Sequence, residues 1–281
     1  MRTPRPQHQG HKPPRLRPSP PAPERSTRRA AERWIYGRHT VAAALANPER
    51  RWRRLAVLAG QETEAQQLLA GAVAERRGGE GAALEVRDRD RLAALLPPGA
   101  VHQGLALEVE PLPEPDLDDL LRELATAAGP CVVVALDQVG DPQNVGAVLR
   151  SAAAFDARAV LLAAHGAPPV TGALAKAASG AVDRVPLVRA VNLVRALDRL
   201  KEAGFWVCGL DETAARPLAA LDLGSRIVLV LGSEGGGLRH LVREHCDHLA
   251  RLPTSAAQPT LNVSNAAAVA LYELARTAEA E

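Results

Sequence analysis

The sequence predicts an α/β protein of two domains, the second of them built on a parallel sheet. Apolar runs such as Cys131–Leu136 alternate with Ala- and Leu-rich segments of helical spacing, which is typical of strands and helices in turn. Hydrophobic residues make up 47% of the 281 residues but aromatic residues only 2%, so the core must be aliphatic. Residues 110–118 form a Pro-rich, stiff linker that separates a domain over residues 31–109 from one over residues 119–281.

The first 30 residues are basic and rich in proline, with Glu24 as their only acid. They offer few apolar side chains to bury, so we expect disorder. Such a tail either adds affinity for phosphate or is solvated without a role. A transit peptide is a further alternative, against which the helix-breaking prolines argue. The net charge of the whole chain is only +2 and indicates no class of partner.

Residues 31–109 predict a compact α/β domain. Strands are expected at 55–58, 84–86 and Leu105–Val109, with helices at 40–46, 61–77 and 89–95. Arg51, Arg53 and Arg54 lie beside Trp52, and such a cluster is able to hold an RNA backbone while the indole ring stacks on a base. The alternative is an ordinary start of a strand with one anchoring tryptophan.

The second domain repeats strands and helices in alternation, which predicts a parallel sheet with helices on both faces. Strands are expected at 131–136, 159–163, 184–187, 205–210 and 227–231, with helices at 117–128, 143–155, 172–179 and 192–203 and a last one after residue 261. Ligands of such sheets bind beyond the carboxyl ends of the strands. The loops that carry Asn144, Asp211, Gly232 and Leu252 follow strands, so we expect a site there.

The loop at residues 232–237 reads GSEGGG and connects a strand to a helix. It lacks the G-K-[ST] ending of a phosphate-binding nucleotide hydrolase loop and does not fit G-x-G-x-x-G. A dinucleotide site, as in an NAD-dependent oxidoreductase, remains a weak alternative. A tight turn made of glycines is another.

Asn144 and Arg150 are six residues apart on one predicted helix. This spacing corresponds to about 600° of rotation, so the two side chains share a face only if Asn144 precedes the helix proper. An arginine on an Ala- and Val-rich helix is expected to find a partner, either Glu234 or a substrate phosphate. A plain surface arginine is the alternative.

We expect neither a metal site nor a membrane-spanning segment. The spacing of His240, His245, Cys246 and His248 fits no usual zinc pattern. The three cysteines are scattered, which favours buried thiols in a reducing compartment such as the cytoplasm. No apolar stretch approaches the roughly 20 residues of a transmembrane helix.

Three segments, in order, resemble the motifs of the SpoU/TrmH family of RNA ribose 2′-O-methyltransferases. They are DPQNVGA at 141–147 with Arg150 following, LGSEG at 231–235, and LP at 252–253 with LNVSNA at 261–266. The resemblance extends over residues 34–276 and includes YGRH at 36–39, GAVHQG at 99–104 and KAASG at 176–180. Within the family the chain is most similar to the 23S rRNA guanosine 2′-O-methyltransferases.

The resemblance implies a fold that the pattern of strands does not suggest. Members of the family tie the C-terminal chain into a deep trefoil knot, and their small N-terminal domain is a ribosomal-protein-like RNA-binding module. They are homodimers through the C-terminal domain, with the site near the subunit interface. RNA contacts in the first domain would come from Arg51, Arg53, Arg54 and His102.

The resemblance also implies roles for site residues. Gly232, Leu252 and Leu261 would contact S-adenosylmethionine, largely through backbone atoms. Asn262 and Ser264 would lie beside the cofactor and the target ribose, while Asn144, Arg150 and Glu234 would face the acceptor. The 2′-oxygen would displace the methyl group from the sulfonium, with Arg150 either accepting the proton or orienting the acceptor. A tRNA methyltransferase and an RNA-binding assembly protein without catalysis are the alternatives.

Overall fold

The computed structural model describes residues 33–75, 83–255, 257 and 260–278, so the predicted N-terminal tail lies outside the described residues. The first part of the chain forms a four-stranded sheet. Its elements are β1 Trp34–Tyr36, α1 Arg38–Ala46, β2 Trp52–Leu58, α2 Glu62–Glu75, β3 Ala83–Arg87, α3 Arg89–Ala93 and β4 Leu105–Val109. The strand order is β1-β4-β2-β3, in which β4 is antiparallel to both neighbours and β2 is parallel to β3.

Two strands of this sheet differ from the prediction. β1 was not predicted, because three residues are too few to show a period. β2 begins at Trp52 rather than at residue 55. A shift of register between Trp52 and Arg54 lets the strand start among arginines whose side chains are partly or fully exposed.

The second part of the chain forms a six-stranded sheet in which every pairing is parallel, as predicted. Its elements are α4 Leu117–Thr126, β5 Cys131–Leu136, α5 Pro142–Ala154, β6 Ala159–Ala163, α6 Gly172–Ala177, β7 Leu187–Ala190, α7 Leu193–Glu202, β8 Trp206–Leu210, β9 Arg226–Leu231, α8 His240–Glu244, β10 His248–Ala250 and α9 Val263–Ala278. Short 3-10 turns occupy Ala181–Asp183 and Leu218–Ala220. The strand order is β10-β8-β9-β5-β6-β7.

The seventh strand starts later than predicted. Residues 184–187 were expected to form it, but β7 runs from Leu187 to Ala190. The 3-10 turn at Ala181–Asp183 closes on the backbone of Arg184, so residue 184 still belongs to the turn. Pro186 has no N–H to donate, and its carbonyl accepts a hydrogen bond from Val160 at the start of the ladder.

The core is aliphatic, as the composition predicts. Leu and Val of the parallel strands are buried on both faces, and β6 is buried along its whole length. The cysteines are free, with Cys131 and Cys208 buried and Cys246 half-buried. Among the described helices, none is long and apolar enough to cross a membrane.

The sheet order determines which loops meet. β8, β9 and β5 are neighbours, so the loops that follow them leave the sheet side by side. The last helix, α9, returns from the far edge strand β10 and packs on α5. Loops that are distant in sequence therefore converge beyond the carboxyl ends of these strands.

Candidate functional site

The first component of the site is the start of α5. Asp141 caps this helix by accepting a hydrogen bond from the Gln143 backbone N–H at 3.0 Å, and Pro142 occupies the first helical position. Asn144 therefore lies within the first turn of the helix. Its side chain is half-buried and points to the Gly-rich loop that follows β9.

The second component is that Gly-rich loop. Ser233 and Gly237 exchange two backbone hydrogen bonds, of 3.2 and 2.9 Å, which close residues 233–237 into a turn. A Cβ on Gly232 would lie 2.0 Å from the Gly237 carbonyl carbon, so the closure itself requires a glycine at position 232. The turn carries Glu234 in an exposed position.

The third component precedes α9. The Asn262 side-chain oxygen accepts hydrogen bonds from the Ser264 backbone N–H at 2.9 Å and from its hydroxyl at 2.6 Å. This arrangement satisfies a free N–H group in the first turn of the helix. It also directs the side-chain amide of Asn262 away from α9.

A continuous hydrogen-bonded cluster joins these three components. The Asn144 amide donates to Glu234 at 2.9 Å, and the Asn262 amide donates to the Asn144 oxygen at 3.0 Å. The Asn262 amide also donates to Glu234. Hydrogen-bonded partners in the cluster are up to 118 residues apart in sequence, so only the fold brings them together. Four of the five predicted catalytic residues, namely Asn144, Glu234, Asn262 and Ser264, form this cluster.

Arg150, the fifth, is not part of the cluster. Its side chain is exposed, and no described residue forms an ion pair or a hydrogen bond with its guanidinium. Of the two expected partners, Glu234 does not pair with Arg150 within the chain, because Glu234 accepts from two amides instead. Since Asn144 lies inside α5, the rotation of about 600° between the two residues directs them to different sides of the helix.

A cavity of about 350 Å³ adjoins the cluster. Gly232, Leu252 and Leu261, three of the four residues predicted to hold a cofactor, line it together with Glu234. Asn262, the fourth, follows Leu261 and faces the cluster. Other leucines add aliphatic side chains to its walls.

Three charged residues that line this cavity, Asp211, Glu212 and Arg243, were not assigned a role from the sequence. Asp211 follows β8, accepts hydrogen bonds from the Thr213 backbone at 2.8 Å and its hydroxyl at 2.5 Å, and pairs with Arg243. Burial works to raise the pKa of Asp211, but the bonds from Thr213 and the Arg243 charge outweigh it and lower the pKa. Its place directly after a strand was the only available signal.

The arginines predicted to bind RNA in the first sheet have separate environments. Arg54 pairs with Glu108 at 2.6 Å and Glu85 at 3.1 Å, and its guanidinium lies 5.3 Å from the centre of the Trp34 ring. Arg53 pairs with Glu110 at 3.0 Å. Arg51 is exposed, with no ion pair to a described residue.

The other RNA-binding candidates of the first sheet are partly buried. Trp52 packs against the hydrophobic core, as the anchoring interpretation expects. The His102 ring nitrogen Nδ1 accepts from the Gly104 backbone at 3.0 Å. Burial, with a contribution from the nearby Arg89 charge, lowers the pKa of His102, which favours the neutral ring.

Three histidines near the C-terminal end of the second part have individual partners. The His248 ring lies 5.5 Å from the Trp206 ring, His245 contacts Asp198 at 2.7 Å, and His240 contacts Glu244 at 3.2 Å. Within the described residues, no group of three His, Cys, Asp or Glu side chains is placed to hold a metal ion.

The fold and the cluster define a class of protein: an α/β protein with a small-molecule site at the carboxyl edge of a parallel sheet, attached to a second, smaller sheet. Comparison with known proteins identifies the family. The profile of the SpoU rRNA Methylase family matches residues 131–272, and the profile for RNA 2′-O ribose methyltransferase substrate binding matches residues 34–115. The chain belongs to the SpoU rRNA methylase family.

Individual relatives agree with this assignment. An uncharacterized tRNA/rRNA methyltransferase of Mycolicibacterium vanbaalenii is 43% identical over 69% of this chain, which spans 62% of that relative's length. The 23S rRNA (guanosine-2′-O-)-methyltransferase RlmB of Pseudomonas aeruginosa is 38% identical over 86% of this chain and 95% of its own length. The first of these relatives is therefore matched over less than two thirds of its length.

A solved structure supports the fold. The SpoU methyltransferase AviRb from Streptomyces viridochromogenes, in complex with the cofactor AdoMet, superimposes with a TM-score of 0.70 at 23% identity. The match covers 91% of this chain and 94% of the other.

Proposed function

We propose that this protein transfers a methyl group from S-adenosylmethionine to the 2′-hydroxyl of a ribose in RNA. The observation that carries the proposal is the hydrogen-bonded cluster of Asn144, Glu234, Asn262 and Ser264, beside a cavity lined by Gly232, Leu252 and Leu261. Membership of the SpoU family supports it.

The cavity fits the proposed cofactor. Its volume of about 350 Å³ lies within the usual range for small-molecule sites, roughly 300–1,000 Å³. Gly232, Leu252 and Leu261 would hold the cofactor between them, with polar backbone groups for its adenosine part. When bound, it supplies an electrophilic methyl group on a sulfonium centre.

The cluster would orient the acceptor. Two amides donate to the Glu234 carboxylate, which fixes its position at the cavity edge. A carboxylate held in this way can accept a hydrogen bond from a ribose hydroxyl and make its oxygen a better nucleophile. A guanidinium offers several N–H donors in a planar arrangement that matches phosphate, and it is a poor proton acceptor. We therefore assign Arg150 to binding the acceptor phosphate rather than to removing the proton.

We propose that the protein is a homodimer through its C-terminal domain. In one chain Arg150 lies about 9 Å further along α5 than Asn144 and on another side of it, so a second copy could supply it to the cluster. α9 also exposes Val269 and Tyr272, at 47% and 56% of their surface, on one face with Asn265 and Arg276. A second copy of this face would cover these apolar side chains.

Light scattering at micromolar concentration tests the dimer. The wild-type protein should have the mass of two chains, and the double variant Val269→Arg, Tyr272→Arg should have the mass of one. A monomeric wild-type protein would refute the dimer without affecting the cavity or the cluster.

We also propose that the C-terminal chain forms the trefoil knot of the family. The segment between β8 and β9 contacts the chain that leaves β10 at two points. Arg251 donates to the Ala214 carbonyl at 3.1 Å, and the 3-10 turn at Leu218–Ala220 packs on α9. These contacts place the segment beside the chain that would thread past it in a knot.

Large-subunit rRNA is the proposed acceptor and the cytoplasm the proposed location. We assign RNA binding to residues 31–109, methyl transfer to residues 119–281 and the connection to residues 110–118. The match of residues 34–115 to a substrate-binding profile and the similarity to RlmB support this division. The relative from Mycolicibacterium is named a tRNA/rRNA methyltransferase, which makes tRNA the second candidate.

The decisive experiment combines purified protein, labelled S-adenosylmethionine and two acceptors, deproteinised 23S rRNA and total tRNA. We expect label in 23S rRNA at one ribose 2′-oxygen, located by mass spectrometry of nuclease fragments. Label only in tRNA would reassign the substrate. Cofactor binding by calorimetry without transfer to either RNA would favour a non-catalytic protein, and no cofactor binding would refute the proposal.

A further inference from the structure

The two sheets are packed together directly. Ile35, Val41 and Leu45 from β1 and α1 belong to the same hydrophobic cluster as Leu174 and Val182 from the region of α6. Two glycines of the second part make this contact possible. A Cβ on Gly172 would lie 2.4 Å from the Trp34 carbonyl oxygen, and one on Gly180 would lie 2.5 Å from the Ala43 Cβ. The backbones therefore approach each other more closely than side chains would allow.

One end of this contact carries a buried ion pair. Arg50 Nε lies 2.7 Å from Asp183 Oδ1, and the two side chains are only 3% and 0% exposed. The Asn47 amide donates to the same oxygen at 3.2 Å, and Arg50 donates to the Glu110 carbonyl at 3.1 Å. Arg50 thus ties the first sheet to both the linker and the second part. A buried pair of this kind tolerates little displacement, since separating it leaves an uncompensated charge.

The other end carries a second polar contact. Lys176 Nζ donates to the Gln103 side-chain oxygen at 2.6 Å, and the Arg38 backbone N–H donates to that oxygen at 3.3 Å. Gln103 has a φ of 53°, which is uncommon for a residue with a side chain. Gly37 leaves room for the lysine, because a Cβ there would lie 2.3 Å from Nζ. The segments YGRH, VHQG and KAASG, which the proposed catalysis does not use, meet at this point.

The linker also touches the second part, since Glu114 pairs with Arg189 at 3.0 Å, but residues 110–115 border a cavity of about 930 Å³ between the two parts. The direct contact of the first sheet with α6 is the one that reaches the site, because α6 packs tightly on α5. A Cβ on Gly146 would lie 2.6 Å from the Ala177 Cβ and 2.8 Å from the Leu174 carbonyl oxygen. Two layers of close contact therefore connect the first sheet to the helix that carries Asn144 and Arg150.

We propose that Arg50–Asp183 and Gln103–Lys176 form an interdomain latch that holds the first sheet in one orientation relative to α5. The latch makes the two domains a single RNA-binding surface, so that an RNA bound by the first sheet presents its ribose to the cluster. These four are positioning residues. The inference about RNA rests on the proposed function, whereas the latch itself does not.

The test uses full-length variants and a matched glycine pair. Gly172→Ala places a methyl group against the Trp34 carbonyl, whereas Gly71→Ala in α2 meets no atom within 4 Å and serves as the control. Gln103→Asn introduces a residue type that tolerates positive φ, but its side chain is too short to reach Lys176. Asp183→Asn removes the charge that faces Arg50.

We expect Gly172→Ala, Gln103→Asn and Asp183→Asn to enlarge the radius of gyration in small-angle X-ray scattering, while Gly71→Ala matches wild type. We expect the KM for deproteinised 23S rRNA to rise about tenfold, because the domains no longer bind at a fixed spacing. The Kd for S-adenosylmethionine should stay within about twofold, since the cavity is not altered.

Two outcomes overturn the latch. An unchanged radius of gyration in all three variants would mean that these contacts do not fix the orientation. A larger radius of gyration with an unchanged KM for 23S rRNA would mean that the orientation is not used in presenting RNA. If the wild-type protein binds no S-adenosylmethionine, the proposed function fails on its own, and the scattering still decides whether the latch exists.

Discussion

Strand β2 and helix α5 both bring arginine to a predicted RNA-binding position, but the fold pairs most of the arginines near β2, Arg51 excepted, and leaves the arginine of α5 unpaired among the described residues. In and before β2, Arg54 pairs with two glutamates, Arg53 with one and Arg50 with a buried aspartate. On α5, Arg150 is exposed and has no ion pair to a described residue. An arginine-rich segment is therefore not the same as a cationic surface, because charge already neutralised by the protein is less available to phosphate.

The largest effect should come from Arg150. Arg150→Ala should reduce methyl transfer to RNA about a hundredfold, because it removes a cation placed for the acceptor, while the Kd for S-adenosylmethionine stays the same. Initial rates with labelled cofactor measure the first quantity and calorimetry the second. Arg195→Ala, an exposed arginine of α7, is the control and should behave as wild type. A rate within twofold of wild type for Arg150→Ala would remove this residue from the site.

Replacing Arg54 should mainly lower the stability of the folded protein. Arg54→Ala leaves Glu108, which is largely buried, without its nearest charge partner, and should lower the free energy of unfolding by about 1–3 kcal/mol. Urea unfolding measures this change. The exposed pair Arg91–Asp88 provides a comparison, since Arg91→Ala should cost less than about 0.5 kcal/mol. Equal losses of unfolding free energy in the two variants would show that burial does not distinguish the two pairs.

Among the arginines in and just before β2, Arg51 should have the largest effect on RNA binding. Arg51→Ala should reduce the slope of log affinity against log salt concentration by about 0.7–0.9, the change expected for one lost phosphate contact. Arg53→Ala should change this slope less, because Glu110 already pairs with Arg53. A larger change of slope for Arg53→Ala than for Arg51→Ala would contradict the interpretation of the ion pairs.

The smallest effect concerns thiols rather than arginines, and it tests how far burial controls charge in the second sheet. Burial raises the pKa of Cys208 and Cys246 to about 12, with smaller contributions from the Cys246 thiol at Cys208 and from Asp247 and Asp137 at Cys246. Both should remain protonated at pH 8 and react slowly with iodoacetamide until the protein unfolds. Because these pKa values are raised in the folded state, their contribution to stability is complete below about pH 8.5 and is lost as the pH rises towards 12.

Much of the fold was predictable from local pattern. Continuous apolar runs gave β5, β6 and β9, and Asp141 followed by Pro142 marked the start of α5. β1 was missed because its three residues carry no period. The start of β7 was misplaced because Arg184 belongs to a 3-10 turn that no residue type marks.

The residues of the candidate site were predictable as a set, through the three motifs, but their contacts were not. Glu234, one of the two partners expected for Arg150, accepts from Asn144 and Asn262 instead. Whether an arginine near β2 is paired likewise depends on glutamates of other strands, such as Glu85 and Glu108. These partners are separated by 28 to 118 residues in sequence.

The sequence by itself determined the alternation of strands and helices and the family. Those properties depend on neighbouring residues, whose spacing is visible in the chain. Only the tertiary structure decided the order of strands, the pairing of charges and the docking of the first sheet on α6. Hydrogen bonds and ion pairs require atoms within about 3 Å of each other, and the folded chain alone determines which distant residues come that close.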